Sequence, residues 1–284
     1  MEQPICVDQA RAGCGEGLLW DDRAGLIRWV DISGERLHAH DPATGSNSSV
    51  AMPCLISALA LHQDGGLLIA TAHGLGCVDA DTGKVDILGH PEPGLAGNRL
   101  NDMVAGPDGA LWLGTMSEGA KAPSGSLYRS AEAGWDRLMS GTTISNGLDV
   151  SPDGRRLYFI DSVPGSLHCH EDGAWRIIRS FGDDIGRPDG MCVDRDGNLW
   201  IAICDRGQVI GMTPDGKPFD CIQLPCQIVT NCCFGGPDLD RLYITTGTFS
   251  MTEAEKSANP LAGGLFALPM PVRGKPPHRV RWTG

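Results

Sequence analysis

Five polar residues stand at one fixed distance before an aspartate. Counting seven residues back from Asp64, Asp108, Asp153, Asp196 and Asp238 lands on Ser57, Asn101, Asn146, Asp189 and Asn231. A sixth, Glu16, opens the comparable stretch Glu16-Gly17-Leu18-Leu19-Trp20. Glu16, Asn101, Asn146 and Asp189 together offer two carboxylates and two amide carbonyls. Oxygen donors of this kind suit a hard divalent cation, Ca²⁺ or Mg²⁺, with Mn²⁺, Fe²⁺ and Zn²⁺ also within their range. Two carboxylates facing each other in a narrow channel repel, and a cation removes that cost. The same positions also suit a plainer use, capping exposed backbone or binding channel water. Ser and Thr serve that use equally well, so the mix of side chains favours the cation.

The aspartates belong to a recurring phrase, a turn followed by a short strand. It reads Pro107-Asp108-Gly109-Ala110-Leu111-Trp112 in its clearest copy, and again from Pro152 and from Arg195. The copy at Gln63 is plainer, that at Pro237 has lost its glycine, and that at Asp21 is the most degraded. Aligning Trp29, Leu68, Trp112, Tyr158, Trp200 and Tyr243 gives spacings of 39, 44, 46, 42 and 43 residues. A period near 40 built from short strands and Asp-Gly turns is the mark of a β-propeller. Six copies predict an all-β, six-bladed propeller with four-stranded antiparallel blades around a central channel, one domain over residues 1–284. The inner strand of each blade runs along that channel and precedes the turn, so the six register-equivalent residues converge on the axis.

The connections Gly89 to Leu100 and Thr248 to Leu261 are long and rich in Gly, Pro and Asn, and are expected to project at one end of the axis. Arg99 is placed on the first of them, at the mouth, where its guanidinium suits an oxygen-rich or anionic ligand or a surface ion pair. Residues 251–258 can form one short helical turn. Residues 4–10 and 278–283 are strand-like and are expected to pair in one blade, closing the ring. His38 with His40, and His168 with His170, share strand faces and read as exposed polar residues of outer strands.

Composition excludes several classes. Of 284 residues, 41% are hydrophobic and 20% charged, with no run long enough to span a membrane. The formal net charge is −12 and no Lys/Arg cluster occurs, which argues against nucleic acid. Met1-Glu2-Gln3-Pro4 is no secretory signal. Eleven cysteines, an odd number with no C-x-x-C, point to small apolar fillers in a reduced, cytoplasmic protein. No G-x-S-x-G elbow is present, which disfavours a serine hydrolase of the α/β type.

Gly15-Glu16-Gly17, Arg99-Leu100-Asn101-Asp102, Gly114-Thr115-Met116, Ser145-Asn146-Gly147-Leu148, Tyr158-Phe159-Ile160-Asp161-Ser162, Pro188-Asp189-Gly190-Met191 and Cys232-Cys233-Phe234-Gly235-Gly236 resemble, in order, the signatures of the regucalcin/senescence marker protein/gluconolactonase family. Residues 260–267 are similar to the last blade of bacterial aldonolactonases. The resemblance implies a six-bladed propeller with one catalytic divalent cation, Ca²⁺ first among candidates, held by Glu16, Asn146 and Asp189. It moves Asn101 from the ligand ring to the substrate, beside Arg99. It implies hydrolysis of a sugar lactone to the aldonic acid; Asp189, the carboxylate best matched to a ligand that can also accept a proton from water, is the candidate base. Animal members carry a substrate glutamate three residues after the Gly-Thr-Met methionine; here that place is Gly119, and Glu118 beside it is the candidate substitute. The rival readings are a metal-dependent esterase or organophosphate hydrolase, and a divalent-metal-binding propeller without catalysis.

Overall fold

A computed structural model describes residues 2–132 and 134–282. The chain forms six four-stranded sheets arranged as blades. Blade 6 takes its outermost strand from the N-terminus, β1 (Ile5–Asp8). Blade 1 is β2 (Gly15–Asp21), β3 (Leu26–Asp31), β4 (Arg36–His40) and β5 (Asn47–Ala51). Blade 2 is β6 (Ile56–Leu61), β7 (Leu67–Thr71), β8 (Gly74–Val78) and β9 (Val85–Gly89). Blade 3 is β10 (Asn98–Ala105), β11 (Leu111–Ser117), β12 (Gly125–Ala131) and β13 (Gly134–Thr142). Blade 4 is β14 (Ser145–Val150), β15 (Leu157–Asp161), β16 (Ser166–Glu171) and β17 (Ala174–Ser180). Blade 5 is β18 (Pro188–Val193), β19 (Leu199–Ile203), β20 (Gln208–Met212) and β21 (Pro218–Gln223). Blade 6 is completed by β22 (Val229–Gly235), β23 (Arg241–Thr246) and β24 (Leu265–Pro269). This is the predicted six-bladed β-propeller. Each innermost strand touches the next, and β22 returns to β2.

Every turn of the recurring phrase bends the same way. Gly65, Gly109, Gly154 and Gly197 all hold φ between 74° and 98°, a left-handed conformation that glycine enters without steric cost. The strand after each turn carries the aligned apolar residue. Trp29, Leu68, Tyr158, Trp200 and Tyr243 are fully buried in the seams between blades, while Trp112 is half-buried under the Arg129 guanidinium. Six apolar clusters result, one in each seam. Cys232 packs in the seam of blades 5 and 6 and Cys233 in that of blades 6 and 1, on opposite faces of β22. All eleven cysteines are free thiols.

Ring closure differs from the expectation at one terminus. β1 pairs with β24, so residues near the N-terminus complete blade 6 as foreseen. The C-terminal stretch does not join them, because β24 already has β23 on one edge and β1 on the other. Instead it crosses the turn end of the channel. Gly274 donates to Leu239 O at 2.7 Å, Val280 to Leu61 O at 2.8 Å and Arg281 to Gly109 O at 2.8 Å. Thr283 lies outside the described residues.

Two further expectations change. Arg99 is a residue of β10 rather than of the preceding loop. His38 and His40 are buried, not exposed: the His38 ring stacks on Trp29 at 4.0 Å between centroids. His168 and His170 are half-buried, His168 bonded to Ser166 Oγ at 2.8 Å. The foreseen helical turn is α1 (Glu253–Ala258), capped by Thr252 with Glu255 in a reciprocal capping box. Among the described residues no helix is long and apolar enough to cross a membrane.

Candidate active site

The inner strands share a defect that aims the axial residues. In each of the six inner pairs the register shifts at the start of the strand, within Glu16–Leu19, Ile56–Ala58, Leu100–Met103, Asn146–Leu148, Pro188–Met191 and Val229–Asn231. A β-bulge bends its strand and re-aims a side chain. Here it occurs once per blade, at or beside the polar residue that sequence counting had singled out. The glycines that follow are part of the device. Gly17 and Gly147 hold φ of 57° and 37°, and a Cβ on Gly147 would lie 2.7 Å from Asp189 O.

Glu16, Ser57, Asn101, Asn146 and Asp189 line one cavity of about 400 Å³ at the strand-start end of the axis. A hydrogen-bonded chain links blades 3 to 5 there. Asn101 Nδ2 donates to Asn146 Oδ1 at 2.6 Å and to Ser145 O at 2.9 Å. Asn146 Nδ2 donates to Asp189 Oδ1 and, at 3.0 Å, to Ser162 Oγ. Between blades 6 and 1, Asn231 Nδ2 donates to Glu16 Oε2 at 2.8 Å. Ser57 Oγ donates to Leu100 O at 3.1 Å, tying blade 2 to blade 3. Ser57 and Asn231, which the sequence left without a role, are braces of the ring.

Arg99 reaches the same cavity from β10. Its Nη1 donates to Leu100 O at 2.8 Å and to Asn101 Oδ1 at 2.7 Å, which leaves most of the guanidinium's five donors for a ligand. Glu118 is exposed on the turn after β11 and does not line the cavity, although it lies near enough to Arg99 to favour its charge. Gly119 has no steric reason to be glycine: a Cβ there would meet nothing within 4 Å.

Electrostatics at the axis are dominated by burial. Burial, then the neighbouring Asp189 and Asp102, pushes the Glu16 carboxyl well above the carboxylate range, against hydrogen bonds from Asn231 and Gly17. Burial pushes Asp189 up to about 7, opposed by Arg187, Cys204 and Asn146. Asp102, which sequence counting passed over, is also pushed up to about 7 by burial. It lines both the axial cavity and a second one of about 140 Å³ at the turn end, roofed by Lys275, Pro277 and His278. Its signal in the sequence was only its adjacency to Asn101.

This donor set fits a hard cation. Two carboxylates and two amides meet at the axis, each of these four residues no more than 8% exposed. Arg99 and Arg187 stand at the edge of the cavity and offset the two carboxylates only in part, since both carboxyls remain shifted upward. Among the described residues no three His, Cys, Asp or Glu side chains converge as a metal cluster, so any cation held here relies on amide oxygen as well as carboxylate.

Residues 14–248 match the model of the SMP-30/gluconolactonase/LRE-like region. The chain belongs to the SMP-30/gluconolactonase/LRE-like family. Family relatives are similar along nearly the full length. A putative sugar lactone lactonase of Bacillus subtilis is 33% identical over 276 residues, 94% of each chain. A pentonolactonase of Haloferax volcanii is 33% identical, over 93% of this chain and 94% of that one. A solved family member from Agrobacterium tumefaciens, described as the calcium-binding protein regucalcin, is 30% identical. It superposes with a TM-score of 0.93, covering 99% of this chain and 98% of the other.

Proposed function

We propose that this protein hydrolyses a sugar lactone to its aldonic acid with the help of one divalent cation. The observation that carries this reading is the buried run Asn101, Asn146, Asp189 in a cavity that Glu16 and Arg99 also enter. Similarity to relatives named for lactone hydrolysis supports the substrate class. Glu16, Asn146 and Asp189 would hold the cation, which supplies a Lewis acid to polarise the lactone carbonyl. Ca²⁺ is the first choice, because the solved relative is described as calcium-binding, with Mg²⁺, Mn²⁺, Zn²⁺ and Fe²⁺ as alternatives.

The chain's own groups do the rest. Asp189 accepts the proton of the attacking water and returns it to the ring oxygen as the C–O bond breaks. Asn146 orients that carboxylate by donating to Oδ1. Arg99 and Asn101, already joined at 2.7 Å, donate to the sugar hydroxyls. Glu118, exposed outside the cavity, favours the charge of Arg99 from the rim.

A panel of aldonolactones assayed by pH-stat with each of the five cations tests the reading. Asp189→Ala is expected to abolish turnover and to weaken cation binding in calorimetry. Full activity of that variant would sink the assignment of Asp189. Hydrolysis of no lactone with any cation would leave a binding propeller without catalysis.

A further inference from the structure

Arg187 lies two residues before Asp189, in the turn that leads into β18, and it is exposed. It lines the axial cavity. It also lines an adjoining cavity of about 370 Å³ under the 248–261 loop, which shares Phe249 and Ser250 with the first. Asp205 Oδ1 accepts from its backbone N–H at 2.9 Å and anchors the turn. The guanidinium itself donates through Nη2 to Cys204 Sγ at 3.3 Å, and sulfur is a weak acceptor.

Neither cavity arginine is neutralised by a direct ion pair among the described residues. Arg28, Arg129, Arg155, Arg156, Arg176 and Arg279 each meet a carboxylate. Among the described residues, Arg99 and Arg187 form no such pair. Arg99 enters from blade 3 and Arg187 from blade 5, with blade 4 between them. The cavity otherwise presents Glu16, Asp102 and Asp189, on a chain of net charge −12. A cavity of that sign repels anions unless fixed cations stand at its mouth.

We propose that Arg187 is a specificity-determining residue that binds an anionic substituent of the lactone, a carboxylate, sulfonate or phosphate remote from the ring carbonyl. The planar guanidinium matches such groups with two parallel hydrogen bonds, which a neutral hydroxymethyl group does not return. Arg99 then holds the ring hydroxyls while Arg187 holds the charged end, at the junction with the second cavity. This inference rests on the lactonase reading.

The experiment compares wild type, Arg187→Met and Arg187→Lys on D-glucono-1,5-lactone, which is neutral, and D-glucaro-1,4-lactone, which carries a carboxylate. Wild type is expected to show the lower KM for the glucarolactone. Arg187→Met is expected to raise that KM about tenfold or more and to leave KM for the gluconolactone unchanged, while any change in kcat, from the charge lost beside Asp189, is shared by both lactones. Arg187→Lys recovers part of the loss. Equal rises in KM on both lactones overturn the proposal. If wild type opens neither lactone, the lactonase reading fails, and equilibrium dialysis of glucarate against gluconate still reads Arg187. Equal glucarate binding by wild type and Arg187→Met then overturns the proposal as well.

Discussion

Asn231 donates to Glu16 across 215 residues of sequence, at 2.8 Å, and so joins the last blade to the first at the axis. The bond fixes one oxygen of a buried carboxylate that the proposed function needs as a cation ligand. Partners of this outer kind commonly matter almost as much as the ligands they orient.

Asn231→Ala is therefore expected to lower cation affinity about 10- to 100-fold, with a parallel fall in kcat/KM. Calorimetric titration of the cation-free protein reads the first quantity directly. Unchanged affinity in a folded variant would remove Asn231 from the site.

Glu92 ties the loop before β10 to blade 3. Its carboxylate is buried and accepts from Asn98 Nδ2 at 3.0 Å, Thr115 Oγ1 at 2.9 Å and Tyr128 OH at 2.9 Å. Glu92→Ala takes the acceptor from Tyr128 OH and from one amide hydrogen of Asn98, while Thr115 Oγ1 keeps Ser126 O at 3.3 Å, and is expected to cost about 2–4 kcal/mol in urea unfolding. Because Asn98 immediately precedes Arg99, KM for the lactone should rise more than kcat falls. A variant with wild-type stability and KM contradicts this account.

His38 makes stability depend on pH. Its Nε2 is buried and has no hydrogen-bond partner among the described residues, and burial pushes the ring down to about 4, outweighing the attraction of Asp31. The folded protein thus resists protonation that the unfolded chain, with an ordinary histidine near 6.5, accepts. The contribution is complete above pH 6.5 and is lost as pH falls through the folded value. By pH 5 the loss amounts to about 2 kcal/mol. His38→Phe keeps a ring against Trp29 and removes the titration. Denaturant midpoints at pH 7 and pH 5 should converge in that variant; an undiminished difference assigns the effect elsewhere.

Lys275 seals the turn end. Its Nζ lies 2.7 Å from Asp149 Oδ1, and the two side chains are 13% and 9% exposed. Asp149 also accepts from Val150 N and Val193 N, each at 2.7 Å. Removing the cation by Lys275→Met strands a buried carboxylate and is expected to cost about 3 kcal/mol. Adding Asp149→Asn should return part of it, measured as a double-mutant cycle. No coupling between the two substitutions would show that the tail is held by backbone bonds alone.

The repeat made the fold legible before any coordinates. An Asp-Gly turn needs a left-handed glycine, the strand after it needs a large apolar residue for the seam, and both leave a mark at a fixed period. The same register placed Glu16, Ser57, Asn101, Asn146, Asp189 and Asn231 at strand starts, all but Asn231 lining the axial cavity, because residues at equivalent positions of a closed ring must converge. Pattern carries such information wherever a position is defined by its distance along the chain.

What pattern could not carry was decided by contacts between distant segments. The path of the C-terminal stretch depended on which strand edge was already occupied. The burial of His38 depended on the Trp29 ring stacked against it. Asp102 and Arg187 entered the site only because a bulge and a turn place them beside Asn101 and Asp189 in space. The bulges themselves are pairing irregularities between two strands, which no single strand's alternation records. Sequence alone determined the ring and the residue types that face its axis. The tertiary structure decided which of those side chains bond to one another, which charges lie unpaired in the cavity, and what closes the far end.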